Sequence, residues 1–206
     1  MIYKAFKRAF DFTSALLLFI VISPLFLLLM ICARISIGSP IFFHQQRSGK
    51  DEKPFGLIKF RTMTNATDAE GKLLPDHKRL TKFGKFLRNS SLDELPELLN
   101  IIKGDMAVIG PRPLYMKYNP YYTAYERKRN KVRGGLIPPE SLYHDSFLTW
   151  DKQLKYEADY AENLSLKLDV KILTSVFQTM FRRNKENYGG YERKPLDVER
   201  ANMNKQ

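Results

Sequence analysis

The sequence predicts an α+β, mainly helical fold: a re-entrant membrane helix-break-helix carrying a compact cytoplasmic domain with a small β-hairpin. Three observations carry this prediction. Phe12 to Ala33 contains no charged residue and is punctuated at its middle by Ser23-Pro24. Ile41 to Arg47 and Phe55 to Met63 read as two strands about the polar turn Ser48-Gly49-Lys50-Asp51. Apolar residues then recur at helical spacing from Leu92 to Ile102, and again beyond Trp150.

A run of about twenty apolar residues crosses a bilayer core at a rise of about 1.5 Å each. No small-residue cleavage site follows it, so it does not read as a signal peptide. One membrane-spanning helix is the simplest reading, and two features favour a re-entrant one. Pro24 removes a backbone hydrogen bond and bends a helix. Lys4, Lys7 and Arg8 precede the segment, while Arg34, Arg47, Lys50 and Lys53 follow it; clusters of this kind belong on the cytoplasmic side. A helix that enters, breaks at Ser23-Pro24 and returns keeps both clusters there. The composition thus divides the chain into a membrane hairpin over 1–36, a cytoplasmic domain over 37–183 and a flexible polar tail over 184–206.

At 206 residues the chain suits one domain of ordinary size. Its net charge of +12 implies an anionic partner: nucleic acid, an acidic membrane surface or a phosphorylated substrate. The single cysteine, Cys32, excludes an internal disulfide or a cysteine-built zinc site. His44, His77 and His144 show no metal-ligand spacing, and no Gly-rich phosphate loop or nucleophile elbow is present.

Gly38-Ser39-Pro40 marks the exit from the apolar segment. Alternation along the second strand puts Lys59 and Arg61 on one face, either simply solvated or available to a phosphate. Residues 64–82 are polar and broken by Gly71 and Pro75, a surface excursion; Phe83 to Asn89 then leads into the central stretch and places Arg88 before Asp93. That stretch, Ser90 to Pro113, opens on the adjacent acids Asp93 and Glu94. It continues through Leu95, Leu98, Leu99 and Ile102, stops at Gly104, and closes on the stiff turn Gly110-Pro111-Arg112-Pro113. Two acids returned to an arginine in a rigid turn suit a phosphate ester. The structural alternative stands beside it: Ser91 and Glu94 fit a capping box. Pro96 weakens that alternative, because it forfeits the helical bond to the Leu92 carbonyl.

Tyr115 to Arg133 interleaves tyrosines with cations, a pattern that also occurs in RNA binders, but nucleic-acid binding leaves the apolar segment unexplained. Two glycines and Pro138-Pro139 assign Gly134 to Asp145 to a loop. Trp150, Leu154, Ala158 and Ala161 mark an amphipathic helix. Ser165 caps another with Leu166, Val170, Leu173, Phe177 and Met180 on its apolar face, suited to the core or to the headgroup region.

Taken together, the strings KRAFD, Ser23-Pro24, GSPIFFHQQRSG, KFRTM, SLDELPELLNIIKGDMAVIGPRP and NLSLKLDVKIL stand in an order that resembles the bacterial sugar transferase family, the small monotopic phosphoglycosyl transferases. The resemblance implies transfer of a sugar-1-phosphate from a nucleoside (uridine) diphosphate sugar to a polyprenol (undecaprenyl) phosphate, with release of nucleoside monophosphate. This is the first membrane step of exopolysaccharide, capsule or lipopolysaccharide assembly, at the cytoplasmic face of a bacterial inner membrane. It implies Asp93 as covalent nucleophile, Glu94 as the Mg²⁺ ligand and Arg112 as a phosphate-holding group, with no nucleic-acid partner. These roles are chemically sensible. An aspartate is already anionic at neutral pH, and Mg²⁺ with Arg112, Arg88, Lys59 and Arg61 would screen the anionic pyrophosphate it attacks. One departure matters: where the family continues with Pro-Gly and a Thr-Gly run, this chain has Arg133-Gly134-Gly135-Leu136-Ile137-Pro138-Pro139-Glu140, so donor specificity does not transfer. The reading from another class is a membrane-anchored, non-catalytic scaffold or nucleic-acid binder.

Overall fold

The computed structural model describes residues 2–143, 145, 147–182 and 193–201. They form a mostly helical protein with one long apolar N-terminal helix and two small β-sheets. Cα packing resolves two compact units, one of residues 12–45 and 56–103, the other of residues 1–11, 46–55 and 104–206. The first helix and the first hairpin contribute residues to both.

In the first unit, α1 (Ile2–Ser36) remains helical across Ser23-Pro24, with Pro24 inside it. The helix thus continues through the position at which the sequence suggests an interruption. Pro24 has no N–H to offer the carbonyl four residues back, that of Ile20. The Ser23 hydroxyl donates to that same oxygen at 2.8 Å. Within hydrocarbon, a freed carbonyl needs such a replacement, which a neighbouring serine supplies. The apolar stretch of α1 has a mean hydropathy of 3.0 and only 17% of it is buried, unlike a core helix. Leu17, Ile20, Val21, Leu27, Leu28 and Ile35 are each more than half exposed. Moving these six half-exposed side chains from water to lipid gains on the order of 5–9 kcal/mol, as large as the stability of a whole domain.

The opposite face of α1 is the base of this unit. Phe26 and Leu29 pack with Phe60 and Leu87, and Phe42, Phe83, Leu92 and Leu95 close around them. Phe60 and Phe42 come from the hairpin of β1 (Phe42–Ser48) and β2 (Pro54–Phe60). Residues 64–80 form the expected excursion, held by the bridges Met63–Leu80 and Thr67–Leu73 and ending in the one-turn α2 (Asp76–Arg79). Leu87 comes from α3 (Lys82–Asn89), whose cap Thr81 accepts the Gly84 N–H at 2.9 Å. Gly84 lies so close to the chain at Thr62 that a Cβ would fall 1.8 Å from the Thr62 carbonyl oxygen, so no other residue fits. The last helix, α4 (Glu97–Lys103), is docked by Asn100, which is fully buried. Its Oδ1 accepts the Ile58 N–H at 3.0 Å and its Nδ2 donates to the Gly56 carbonyl at 2.8 Å. The amide thus imitates a neighbouring strand and fixes where α4 sits along β2.

The second unit is built on a parallel pair, β3 (Met106–Ile109) and β4 (Gly134–Ile137), with Met106 opposite Gly134 and Ile109 opposite Ile137. This corrects the reading of Gly134 to Asp145 as a loop: its first four residues are a strand. The glycines are there because the backbones nearly touch. A Cβ on Gly135 would lie 2.1 Å from the Gly110 nitrogen, and one on Gly110 would lie 2.4 Å from the Arg133 carbonyl. Pro138-Pro139 then ends the strand. Between β3 and β4, two 3-10 stretches, Met116–Tyr121 and Glu126–Lys131, turn Tyr118 and Tyr122 into a core with Leu114, Trp150 and Leu154. These tyrosines fill an interior.

Two helices complete this unit: α5 (Trp150–Glu162), capped by Thr149, and α6 (Leu166–Arg182), whose first turn is capped by Ser165. Buried Asp169 on α6 accepts from Tyr3 Oη and Tyr160 Oη, both at 2.6 Å, and pairs with Lys7 at 2.9 Å. The KRAFD and LKLDVKIL strings therefore meet. On α6 Ile172 is fully buried while Leu166, Val170 and Phe177 remain exposed, so the helix both packs and presents an apolar edge. Of the segment 184–206, residues 193–201 are described: α7 (Leu196–Glu199) places Leu196 in the Trp150 core and Arg200 against Glu126. Residues 184–192 and 202–206 lie outside the described residues, as does His144.

Removing the amide of Asn100 leaves two buried backbone groups unpaired. Asn100→Leu is expected to lower the unfolding free energy by about 2–3 kcal/mol, measured by chemical denaturation in detergent.

Candidate active site

The two acids that the sequence singles out lie in the first unit on a 3-10 turn, Leu92–Glu94, between α3 and α4. The capping-box alternative does not form. Ser91 adopts the left-handed conformation, φ 56°, its side chain caps nothing, and α4 starts only at Glu97, after Pro96. The positive φ lifts the acids out of any regular helix, and Leu92 and Leu95 on either side of them pack into the Phe26–Phe60 core. Asp93 and Glu94 are thereby held at a half-exposed edge by the two apolar residues that bracket them.

Around this turn the structure gathers two of the five other residues expected in this unit, Lys59 and Arg88. Lys59, on β2, places its ammonium 2.6 Å from Glu94 Oε1 and 3.2 Å from Glu97 Oε1. Arg88, on the exposed side of α3, anchors its Nε on the Thr62 hydroxyl at 3.0 Å, which orients the rest of its fork. Ser23-Pro24 lies in the same unit, on α1, just before Phe26. Arg61 behaves differently. It is buried, and its Nε and Nη1 donate to the carbonyls of Met63 and Pro40 at 2.8 and 3.0 Å. That arrangement secures the end of β2 and leaves little of the fork for a ligand, in contrast to its expected place beside Lys59.

Burial pushes the Asp93 carboxyl above its ordinary value, and the adjacent Glu94 charge adds to this; Lys59 and Arg88 pull it back. Asp93 is thus a carboxyl in a partly dry setting whose charged form two nearby cations favour; in such a setting a negative oxygen is less solvated and more reactive. Glu94 supplies a hard carboxylate ligand beside Asp93 in the same turn. No group of three or more His, Cys, Asp or Glu side chains placed to hold a metal occurs among the described residues. This donor set fits Mg²⁺, which binds through one or two carboxylates and completes its shell with water and substrate phosphates.

Arg112 belongs to the second unit. Its side chain is exposed, and its guanidinium has no hydrogen bond or ion pair to a described residue. Its backbone is held firmly: its N–H donates to Glu157 Oε1 at 2.9 Å and its carbonyl accepts from Arg129 Nη2 at 2.5 Å. Arg129 and Glu157 are themselves joined at 2.6 Å and essentially inaccessible to solvent. A buried ion pair thus clamps both sides of the Pro-Arg-Pro turn and leaves only the arginine fork outside. Nearby Glu140, at the end of the atypical stretch, has a sealed Oε2 with no hydrogen-bond partner among the described residues. Burial, reinforced by the Glu157 charge, pushes its carboxyl up to about 8. Sequence reading passed over Glu97, Asn100, Arg129 and Glu157. A buried Asn within a Leu-Ile helix is a detectable signal, whereas Arg129 inside ERKRNKVR looks like any solvated cation.

The clamp and the working group separate by experiment. Glu157→Gln strands a buried guanidinium and is expected to lower stability by about 3–5 kcal/mol. Arg112→Lys should stay within about 0.5 kcal/mol of the parent stability, yet lose at least about tenfold in turnover because a point charge replaces the bidentate fork. Thermal unfolding and steady-state rates on the two variants check both.

Residues 2–183 match the bacterial sugar transferase family. The chain is 45% identical over 167 residues to the "Uncharacterized sugar transferase EpsL" of Bacillus subtilis (strain 168), covering 81% of this chain and 83% of that protein. It is 34% identical over 192 residues to the UDP-glucose:undecaprenyl-phosphate glucose-1-phosphate transferase of Klebsiella pneumoniae, covering 88% of this chain but only 40% of that longer protein. It is 34% identical over 191 residues to the exopolysaccharide production protein ExoY of Sinorhizobium fredii (strain NBRC 101917 / NGR234), at 84% and 83% coverage. With the apolar helix, the Asp-Glu turn and the clamped Pro-Arg-Pro turn in place, the chain belongs to the bacterial sugar transferase family.

Proposed function

We propose that the protein transfers a sugar-1-phosphate from a nucleoside diphosphate sugar, a UDP-sugar, to polyprenol phosphate at the cytoplasmic face of a bacterial inner membrane, through a covalent intermediate on Asp93. The observation that carries this reading is the setting of Asp93: a half-buried carboxyl, its charged form favoured by Lys59 and Arg88, on a turn packed against the apolar helix. A membrane lipid acceptor needs a nucleophile mounted close to the bilayer. The names of the relatives support the reaction class, since they specify undecaprenyl phosphate with glucose-1-phosphate in one case and N-acetylgalactosamine phosphate in another. Because those two sugars differ, they leave the donor sugar of this chain open.

In the first step an Asp93 carboxylate oxygen attacks the sugar-bearing phosphorus. The new bond is an acyl phosphate, and the bond to the nucleoside monophosphate breaks with its electron pair on the leaving phosphate. No proton has to be removed from the nucleophile, so no general base is needed. In the second step an oxygen of polyprenol phosphate attacks the same phosphorus and the Asp93 carboxylate leaves. Lys59 and Arg88 lower the repulsion between Asp93 and the pyrophosphate, and the Arg112 fork is assigned to donor phosphate. Mg²⁺, held by Glu94, supplies charge neutralisation of the pyrophosphate when bound.

The re-entrant path of α1 belongs to the same proposal. It is supported by the cations on both flanks and by the rings of Phe19 and Phe26, whose centroids lie 5.2 Å apart. Seven residues of straight helix rise about 10.5 Å, so the approach of these rings across Ser23-Pro24 fits a helix bent toward them.

Incubated with a panel of UDP-sugars and Mg²⁺ without acceptor, the protein should release one equivalent of nucleoside monophosphate. Intact-mass measurement should then find a phosphosugar adduct, absent in Asp93→Asn. Adduct formation should fail with falling pH at a value above the ordinary aspartate pKa, since Asp93 must be ionised, and Lys59→Met should move that limb higher. Normal turnover with acceptor but no adduct under rapid quench would eliminate the covalent route.

A further inference from the structure

Beyond the transfer reaction, we infer that the second unit holds a binding site for the phosphate of an anionic phospholipid headgroup, in a basic cavity beside the N-terminal turns of α1. The cavity, open on one side, has a volume of ≈ 80 Å³, and its wall includes Lys4, Lys7, Arg8, Lys50, Lys131 and Arg133. One acid, Asp11, lines it with them. Lys7 is neutralised locally, since it pairs with Asp11 at 3.4 Å and with Asp169 at 2.9 Å. Asp11 is buried and also accepts the Val108 N–H at 3.1 Å. Lys50 pairs with its neighbour Asp51 at 3.8 Å. Lys4 and Lys131 are exposed and form no ion pair with a described residue, and Arg133 donates its Nε to a neutral carbonyl, that of Gly104, at 2.8 Å. Lys4, Lys131 and Arg133 thus converge on one concave space whose wall holds a single acid, Asp11.

The helix itself says which anion reaches that space. Lys4, Lys7, Arg8 and Asp11 fall at i, i+3, i+4 and i+7, one stripe of α1. On the other side of the same turns Phe6 and Phe10 are 53% and 52% exposed, with ring centroids 6.4 Å apart. Two neighbouring exposed phenylalanines that run directly into the apolar stretch from Phe12 mark the face that meets the acyl boundary. A helix is about 10–12 Å across with its side chains, and each headgroup layer is about 5–8 Å thick. Seating Phe6 and Phe10 at the acyl boundary therefore brings the opposite, basic stripe to the level of lipid phosphates. The site rests on the membrane placement of α1 but on none of the residues assigned to chemistry.

The test uses the full chain purified in a neutral detergent, with native mass spectrometry counting bound lipid. Phosphatidylglycerol should bind one per protein, phosphatidylcholine should bind at least about tenfold more weakly, and inorganic phosphate at millimolar concentration should not displace the lipid. Lys4→Gln/Lys131→Gln should weaken phosphatidylglycerol by about tenfold or more while its lipid-free melting temperature stays that of the parent. Lys131→Gln alone repeats the test without touching α1. An Asp93→Asn protein should bind the lipid as the parent does, so loss of transfer and loss of lipid binding remain distinguishable. Equal retention by phosphatidylcholine, unchanged affinity in both lysine variants, or displacement by inorganic phosphate would each overturn the headgroup site.

Discussion

Contact between Phe26 on the apolar helix and Phe60 at the end of β2, with ring centroids 5.1 Å apart, ties the lipid-facing part of the chain to its acids. Phe42 stacks on both rings, and Leu29 and Leu87 seal the cluster. Leu92 and Leu95 pack onto it from either side of Asp93-Glu94. Burying side chains of this size contributes about 1.5–3 kcal/mol each, far more than the half-exposed ion pair of Lys59 with Glu94 supplies. Apolar packing therefore fixes where the acids are, and charge only tunes how they behave. The same cluster takes Phe19 and Phe26 from either side of Ser23-Pro24, so this part of α1 and the acid turn are held by one set of contacts.

The second unit solves a different problem. A turn that presents an arginine fork must be stiff while leaving the fork uncommitted. Proline on both sides of Arg112 restricts the backbone, and the Arg129–Glu157 pair holds the backbone N–H and carbonyl that remain. A buried pair of this kind is a weak source of stability in itself, because desolvation offsets most of the attraction. Its value here is geometric: it takes the hydrogen-bonding groups of the turn and leaves the Arg112 side chain facing solvent. The glycines at Gly110 and Gly135 belong to the same construction, since they let β4 lie against the start of the turn.

Much of this was legible in the residues. The apolar stretch, the hairpin, the helices after Trp150 and the Asp93-Glu94 turn all follow from periodicity, turn chemistry and a specific run of motifs. What was not legible depends on packing across long separations. Gly134-Gly135 reads as a loop because local rules see only conformational freedom, whereas the chain uses glycine there to let two strands approach. Arg61 alternates with Lys59 in sequence, yet the strand ends at Phe60, and Arg61 turns in to carbonyls that no spacing rule reveals. Arg129 sits in a run of cations that looks solvated, and its buried partner Glu157 is 28 residues away. Leu196 and Arg200 lie in a polar stretch whose composition hides a core contact.

The central claim is that the acid turn packs against a helix that we propose to have both ends on the same side of the membrane. Accessibility labelling tests it most directly, with single cysteines placed at Lys4 and at Ser39 in a Cys32→Ala background. Both positions are exposed and flank the apolar stretch of α1. The account predicts that a membrane-impermeant reagent added outside intact cells labels neither position, and that both react once the inner face is opened. Labelling of Lys4→Cys from outside, with Ser39→Cys protected, would contradict it.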